Sequence, residues 1–259
     1  MKEVVVDSAT RELLRSYAAQ YETAEFLNGD PSWWMHQVYG DQNQETMAFL
    51  ASSLSFGSRK QFMPKIGQLL EWSGGDAFDW VRTGAFNVCF HKGDSDCYYR
   101  LYNNDCMYNF LSACQQLIVE HGSLGAYVRQ NASTGMQAVE AICSYFCGCG
   151  VSVVVPKNTQ SACKRVCMFL RWMVRSDSPV DLGLWSEFID RRTLIMPLDT
   201  HVLNQSLRLG LLSSGTASMS AAIRLTTSLS TIFPDDPLKG DFALFGYGVN
   251  NVSENKKRQ

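Results

Sequence analysis

The segment LIMPLDTHVL, residues 194–203, holds one carboxylate, Asp199, between an apolar run and a second apolar-periodic segment. An aspartate in this position is typical of a helix N-cap, whose side chain accepts backbone N–H bonds of the first turn. A carboxylate fixed in this way stays ionised, and it can stabilise a cation that develops nearby. The two interpretations are compatible, so Asp199 is predicted to cap a helix and is a candidate catalytic charge.

A lysine begins the helical pattern KRVCMFLRWMVR, residues 164–175. Apolar side chains repeat along one stripe of this helix, and the second stripe is formed by Lys164, Met168, Arg171 and Arg175. The pattern predicts that one face packs and that the other is a solvated basic face. Lys164 lies in the first turn, where the helix dipole opposes a positive charge, as a nucleophilic lysine requires.

Other groups that could carry chemistry are weaker candidates. His201 follows the predicted cap by two residues, where packing and hydrogen bonding are commoner roles than base or ligand. The cysteines of the 143–167 region contain no CxxC pair and suit a helix core, so no metal or iron–sulfur cluster is predicted. The sequence has no GxGxxG, GxxxxGK[ST] or GxSxG motif, and no cofactor is expected.

Helices must position these residues, because apolar side chains recur at spacings of three and four through most of the chain. The segments with this pattern are 9–22, 44–56, 60–72, 107–122, 124–130, 134–148 and 161–176. Turn-forming stretches such as NGDPS and SGGD separate them. Only VSVVV, residues 151–155, resembles a strand, and it is too isolated to imply a sheet. The predicted fold class is therefore all-α.

Composition limits the classes of function. The chain has 259 residues, of which 46% are hydrophobic, enough for one large domain or two closely packed ones. A net charge of −2 argues against indiscriminate polyanion binding, so contact with nucleic acid would need a local basic patch. The nine cysteines without a secretion signal predict reduced thiols and a cytoplasmic protein. No apolar run approaches the roughly 20 residues of a membrane span, so no membrane association is expected.

Taken together, the segments CKRVCMFLRWMVR, LIMPLDTHVLNQSLRLGLL and DPLKGDFALFGYG resemble a bacterial family that looks like a divergent branch of the helix-hairpin-helix (HhH-GPD) DNA glycosylases. A lysine followed by MPLDTHV is similar to the catalytic lysine and the (V/I)P(V/I)D motif of the lyase-type members. The separation of 35 residues between Lys164 and Asp199 is closest to archaeal-type 8-oxoguanine DNA glycosylases. PKNTQSACK stands in place of the usual glycine-rich hairpin LPG(V/I)G.

Besides the lysine helix with MPLDTHV, two segments carry the resemblance to characterised glycosylases. LSFGSRK, residues 54–60, resembles the helix end that leads toward the DNA in bacterial glycosylases. Gly57 stands where those enzymes often carry a glutamine that enters the duplex. DFALFGYG, residues 241–248, is similar to a C-terminal helix in which an aspartate and an aromatic residue one turn later line the base pocket, and Asp241 and Phe245 match that spacing.

The resemblance implies two packed helical subdomains of the HhH-GPD DNA glycosylase type with a cleft between them. Their bounds are roughly 40–155, and 1–39 together with 156–250, followed by a polar tail at 251–259. It implies a monomeric DNA glycosylase and AP lyase of base excision repair. Its substrate would be double-stranded DNA with an oxidised purine such as 8-oxoguanine, and no small-molecule cofactor would be needed.

The same resemblance implies roles for individual residues. Lys164 would attack the sugar, Asp199 would stabilise the cationic sugar, and the base pocket would include Asp241, Phe245 and Met168. Contacts with the DNA are expected from Arg59, Lys60, Lys157, Ser161, Arg165 and His201.

Two alternatives stay open at this point. The first is a non-catalytic helical module that binds nucleic acid on a glycosylase scaffold, which the net charge, Gly57 and the altered hairpin favour. The second is a helical scaffold that binds only proteins and has no affinity for DNA even at low salt.

Overall fold

The computed structural model describes residues 6–213 and 215–257, with the backbone alone from residue 249 onward. The described chain is mostly helical, which confirms the all-α prediction at that level. Its α-helices are α1 Ser8–Tyr21, α2 Asp41–Leu54, α3 Arg59–Trp72, α4 Ala77–Arg82, α5 Asn104–His121, α6 Leu124–Asn131, α7 Gly135–Gly148, α8 Lys164–Val174, α9 Thr200–Arg208, α10 Met219–Ser230 and α11 Lys239–Lys257. Short 3-10 helices span Ala24–Leu27, Pro31–His36, Ala85–Val88 and Arg191–Thr193. Two short strands, β1 Cys97–Tyr99 and β2 Tyr102–Asn103, form an antiparallel hairpin.

The predicted strand at 151–155 is wrong. Gly150, at φ 77°, follows the end of α7, and the N–H of Val151 returns to the carbonyl of Phe146. The N–H of Val154 then donates to the carbonyl of Val151, so the run is a tight turn. Its buried valines pack as apolar residues rather than pairing in a ladder. Three of its four valines are buried, and periodicity alone cannot distinguish such a short apolar run from a strand.

The chain divides into two compact units. The first contains Met1–Phe26, Thr134–Met136 and Thr159–Gln259, and the second contains Leu27–Ser133 and Gln137–Asn158. Helix α11 continues through residues 251–257 of the predicted polar tail, while 258 and 259 lie outside the described residues. Within the described residues, no helix is both long enough and apolar enough to cross a membrane.

In the second unit, helix α2 is the central element. It packs against α3, α4, α6 and the 3-10 helix Pro31–His36, and its residues from Met47 to Leu54 are all buried. The ring of Phe49 on α2 lies 5.8 Å from that of Phe110 on α5 and 5.2 Å from that of Phe146 on α7. An aromatic cluster thus joins three helices of the unit.

In the first unit, α11 packs along α1 and also against α9. The approach of α1 depends on Gly246, because a Cβ at this position would lie 2.4 Å from Cδ2 of Tyr21 and 3.2 Å from Cβ of Tyr17. The neighbouring Phe245 meets the ring of Tyr21 edge-on at 5.6 Å. The glycine therefore sets the distance between the two helices.

We predict that Gly246→Ala lowers the free energy of unfolding by about 1–3 kcal/mol, because the added methyl overpacks the contact of α11 with α1. Urea denaturation measures the change. The matched control is Gly148→Ala in the last turn of α7, where an added Cβ meets nothing within 4 Å. We expect the control to be neutral or stabilised by up to about 1 kcal/mol, since alanine has the higher helix propensity. An equal loss in both variants would contradict the packing argument.

Candidate functional site

Lys164 and Asp199 lie together in the first unit. The Nζ atom of Lys164 is 3.7 Å from Oδ2 of Asp199, and 34% of the lysine side chain and 41% of the aspartate side chain are accessible. The two residues are distant in sequence, so the fold creates the contact. It places a solvent-accessible amine beside a carboxylate that could accept its proton.

The backbone before α8 presents Lys164 at the start of the helix. Cys163 occupies the N-cap position at φ 45°, and its side chain makes no capping hydrogen bond. Ser161 pairs with Ser218 in an isolated antiparallel bridge, which ties this connection to the residue before α10. Ala162 and Cys163 are buried, whereas Lys164 is half-exposed. The lysine therefore emerges from an anchored turn rather than from a free loop.

Asp199 is held by the chain on both sides. The apolar residues 194–198 are buried, and the N–H of Met196 donates to Oγ1 of Thr226 at 2.9 Å. Oδ1 of Asp199 accepts the N–H of Val202 at 2.9 Å, which confirms the predicted N-cap. Because Oδ1 caps α9 and Oδ2 faces Lys164, the two oxygens of one carboxylate have different partners. The cap fixes the orientation of the charge.

Asp241 lies near this pair and contacts Arg171 of α8 through a short ion pair. Burial raises the pKa of Asp241; the positive charges of Arg171 and Lys164 oppose that rise, and the negative charge of Asp199 adds to it. About 19% of the Asp241 side chain is accessible. The four groups therefore share one electrostatic neighbourhood.

The predicted solvated basic face of α8 is wrong. Arg171 and Arg175 are buried, with 3% and 1% of their side chains accessible. Both guanidiniums contact the fully buried Asp181, and Arg175 also binds Asp236 and Glu22. The ring of Phe242 lies under both, 4.7 Å from Cζ of Arg171 and 5.3 Å from that of Arg175. We call the two arginines and their carboxylate partners the buried ionic cluster: Arg171, Arg175, Asp181, Asp236, Glu22 and Asp241.

Protonation in the buried ionic cluster follows from burial and from its opposite charges. Burial raises the pKa of Asp181, although both guanidiniums oppose the rise. Burial alone would lower the pKa of Arg175, but the surrounding carboxylates raise it overall. The arginines therefore stay charged. The penalty for burying charge acts on the carboxylates, and it raises the pKa of Asp181.

Sequence patterns could have indicated that Arg171 is a buried ion-pair partner. Every residue from Val166 to Val174 is buried, and a helix that is apolar all round is an interior helix. Arginines within such a helix require buried partners, since an unpaired charge there is very unfavourable. The two-stripe interpretation overlooked Trp172 and Cys167, which fill the space between the stripes.

The other predicted pocket residues have defined contacts. Met168 is buried, one turn after Lys164 on the same helix. Phe245 is partly accessible, and its ring packs edge-on against Phe26 at 4.9 Å as well as against Tyr21. Phe245 is therefore part of an aromatic cluster with α1, and only part of its ring surface is open to a ligand.

The predicted DNA contacts lie on the surface of their units. Lys60, Lys157, Ser161 and His201 are exposed, and Arg165 is half-exposed. Arg59 is exposed and pairs with Asp30 at 3.3 Å. Nε2 of His201 lies 2.8 Å from where a Cβ of Gly248 would be, so the glycine makes room for the imidazole. The nine cysteines are free thiols, and no group of three or more His, Cys, Asp or Glu side chains in the described ranges could hold a metal ion.

The fold and site define a mostly helical protein with an accessible lysine–aspartate pair above a buried ionic cluster. A family model described as "Protein of unknown function (DUF2400)" matches residues 30–250. Because the match covers most of the chain, the protein belongs to this family. No match is found among curated proteins or among solved structures.

Asp241→Asn provides a pH test of the site's electrostatics. Since the folded pKa of Asp241 is raised above the ordinary value of 3.8, the folded state binds this proton more tightly than the unfolded state. The stability from this group is complete below about pH 4 and is lost as the pH rises through the folded pKa. As the pH rises through the folded pKa, we expect the free energy of unfolding of the wild type to fall relative to that of the variant. Urea denaturation at a series of pH values measures both.

Asp190→Asn is the matched control with the opposite sign. Its hydrogen bonds to Arg192 lower the pKa of Asp190, so its contribution is present above the unfolded pKa and is lost as the pH falls. The wild type should therefore gain stability relative to this variant as the pH rises through that range. The same slope in both comparisons would refute the assignment of the raised pKa to Asp241.

Proposed function

We propose that the protein is a DNA glycosylase with AP lyase activity in base excision repair, acting as a cytoplasmic monomer without a cofactor. Its proposed substrate is double-stranded DNA that contains an oxidised purine such as 8-oxoguanine. One observation carries the proposal: Nζ of Lys164 lies 3.7 Å from Oδ2 of an aspartate whose other oxygen is fixed by the N–H of Val202. An accessible nucleophile beside an oriented carboxylate is what base excision through a covalent intermediate requires.

In the proposed reaction, the damaged nucleotide leaves the base stack before chemistry begins. The amine of Lys164 loses a proton and forms a bond from Nζ to C1′, while the bond from C1′ to the base breaks and the base leaves with that electron pair and takes up a proton. Nζ then gives up a second proton and forms a second bond to C1′, while the bond from C1′ to the ring oxygen breaks and that oxygen takes up a proton, which gives a Schiff base. Loss of a proton from C2′ then breaks the bond from C3′ to its phosphate oxygen, which cleaves the strand by β-elimination.

Asp199 has an electrostatic role in this scheme. The sugar gains cationic character as the base leaves, and a carboxylate already oriented by its cap stabilises that charge without reorganising. Oδ2 is also near enough to Nζ to receive the proton of Lys164 after a small movement. The helix cap thus supports the catalytic role rather than competing with it.

The base pocket is proposed to include Asp241, Met168 and Phe245. Arg171 engages Oδ2 of Asp241, and we propose that Oδ1 meets the edge of the base. Met168 supplies an apolar surface one turn from Lys164, and Phe245 supplies the accessible part of its ring. The guanidinium of Arg171 holds the carboxylate in one orientation.

Contacts to the DNA backbone are proposed for the exposed or half-exposed residues Arg59, Lys60, Lys157, Ser161, Arg165 and His201. The net charge of −2 makes such local contacts necessary, because the chain as a whole does not attract a polyanion. Binding should therefore depend steeply on salt through these few positions.

Replacing the nucleophile tests the proposal. We expect Lys164→Gln to slow strand cleavage of an 8-oxoguanine duplex, and of the same duplex with an abasic site, by at least about a hundredfold. Gel separation of the cleaved strand measures the rate. Lys92→Gln, which removes an exposed lysine with no assigned role, should cleave at the wild-type rate.

Cleavage by Lys164→Gln at the wild-type rate would remove Lys164 from its role. Binding of the lesion duplex by the wild type without cleavage or base release would instead favour the non-catalytic nucleic-acid-binding module.

Asp199 can be changed without losing the helix cap. Asparagine and serine cap helices about as well as aspartate. We therefore expect the free energies of unfolding of Asp199→Asn and Asp199→Ser to lie within about 1 kcal/mol of the wild-type value. Both variants should release base at least about a hundredfold more slowly than the wild type. Chromatography of the freed base gives the rate, and thermal unfolding gives the stability.

Asp7→Asn is the matched control, since Asp7 caps α1 through the N–H of Thr10 in the same way. This control should keep both stability and base release. Base release by Asp199→Asn at the wild-type rate would show that Asp199 serves only as a cap.

A further inference from the structure

Asp181 is a buried carboxylate of the first unit that binds two arginines at once. Nε of Arg171 donates to its Oδ1 at 3.2 Å, and Nη1 of Arg175 donates to its Oδ2. None of the Asp181 side chain is accessible, so it does not touch a substrate. Burial raises the pKa of Asp181, and the two guanidiniums oppose the rise. Any effect of this charge on chemistry therefore passes through the arginines that it contacts.

The backbone after α8 sets the position of Asp181. The N–H groups of Leu182 and Gly183 both donate to the carbonyl of Trp172, at 2.8 Å and 3.2 Å. This carbonyl belongs to the last turn of α8, where the helix itself leaves carbonyls without partners. Gly183, at φ 69°, allows the close return of the chain, because a Cβ there would lie 2.9 Å from Cα of Ser176. Backbone bonds therefore hold Asp181 against α8, independently of the candidate site.

Arg171 connects Asp181 to Asp241. Its Nε binds Oδ1 of Asp181, and its Nη1 forms a short ion pair with Oδ2 of Asp241. The ring of Phe242 lies 4.7 Å from Cζ and supports the guanidinium from one face. Because a guanidinium is a planar, rigid fork, fixing the direction of Nε also fixes the direction of Nη1. Asp181 therefore helps to set where Arg171 meets Asp241.

Asp241 is the accessible end of these contacts. Its side chain is 19% accessible, against 3% for Arg171 and none for Asp181. The charges of Lys164 and Asp199 act on the pKa of Asp241, which shows that it lies beside the accessible pair. The contacts thus run from an inaccessible carboxylate, through a buried guanidinium, to a carboxylate at the candidate site.

We propose that Asp181 is a positioning residue for base recognition, which holds the guanidinium of Arg171 so that Oδ1 of Asp241 is presented to the base. The inference rests on the proposed function, because that function places Asp241 in the base pocket. A carboxylate that already has one orientation binds the base without first being ordered. Buried ion pairs add little net stability, so orientation rather than stability is the gain from this one.

The proposed role of Asp181 is confined to substrates that carry a base. A lesion duplex presents the base edge that Asp241 meets, whereas an abasic site presents only the sugar, on which Lys164 and Asp199 act in the proposed reaction. Loss of positioning therefore slows the reaction of lesion duplexes selectively, whereas loss of the folded state slows both reactions equally. The ratio of the two rates separates positioning from a merely structural role.

Asp181→Asn tests the inference, because an amide keeps the size of the side chain but replaces one acceptor oxygen with a donor. We expect kcat/KM for base release from an 8-oxoguanine duplex to fall by at least about tenfold, the effect of losing one charge-assisted hydrogen bond. Strand cleavage at an abasic site should stay within about twofold of the wild-type rate. Chromatography of the freed base and gel separation of the strands measure the two rates.

The matched control is Asp236→Asn, which neutralises another carboxylate of the buried ionic cluster. Asp236 accepts from Nε of Arg175 at 3.0 Å, so this variant loses a buried charge while the contact of Asp181 with Arg171 stays in place. Urea denaturation should show a loss of stability in both variants, but Asp236→Asn should keep the wild-type ratio of the two rates. Arg171→Lys is a second test, which serves if Asp181→Asn does not fold. Lysine keeps the charge but lacks the fork, so this variant should show the same selective loss.

A wild-type kcat/KM for base release in Asp181→Asn would overturn the inference, as would an equal loss on both substrates or a selective loss in Asp236→Asn. In each of these cases the wild type still acts on both substrates, so the proposed function stands. A wild type that acts on neither substrate overturns the proposed function, and the inference fails with it.

Discussion

Neutralisation of two buried guanidiniums is the constraint on which the first unit depends. Helix α8 carries Arg171, and its C-cap residue is Arg175; both lie in the interior, where an unpaired charge would be strongly destabilising. The carboxylates that neutralise these guanidiniums lie on the residue after α1, in the chain after α8, in the turn before α11 and on α11 itself. Each of these elements must therefore approach α8 in one arrangement, which an apolar core alone would specify less strictly.

This constraint determines where the candidate site lies. When α8 is held by its buried arginines, its first residue, Lys164, emerges at the surface of the unit beside the cap of α9. Asp241 links the accessible Lys164–Asp199 pair to the buried ionic cluster, because it binds Arg171 and also experiences the charges of Lys164 and Asp199. The accessible pair and the buried ionic cluster thus form one continuous set of charges, so a change in one alters the electrostatics of the other.

Most of the helices could be predicted from the sequence because their signals are local. Apolar spacing marks α1, α2, α3, α5, α6, α7 and α8, and the position of Asp199 before an apolar-periodic segment predicts the cap of α9 that the structure contains. Helices α4 and α10 lie outside the predicted segments. The contact between Lys164 and Asp199 is not local, and only the resemblance to glycosylases suggested that the two side chains would lie together. Periodicity alone could not join residues so far apart in the chain.

Three features could not be predicted from the sequence, each for a physical reason. The partners of Arg171 and Arg175 lie on other elements, so helical periodicity treated both as solvated. Three of the four valines in the run at 151–155 are buried, and periodicity cannot separate such burial from pairing in a sheet. The hairpin has strands of three and two residues, too short to show alternation, and its anchors are tyrosine hydroxyls bound to distant carbonyls.

The central claim is that Lys164 forms the covalent bond to the sugar. It is tested most directly by reducing the wild-type protein with borohydride on an abasic-site duplex, digesting the adduct with protease and nuclease, and locating the sugar remnant by tandem mass spectrometry. We expect the remnant on Nζ of Lys164. A remnant on a different lysine or on the N-terminal amine, or no adduct at all, would contradict it.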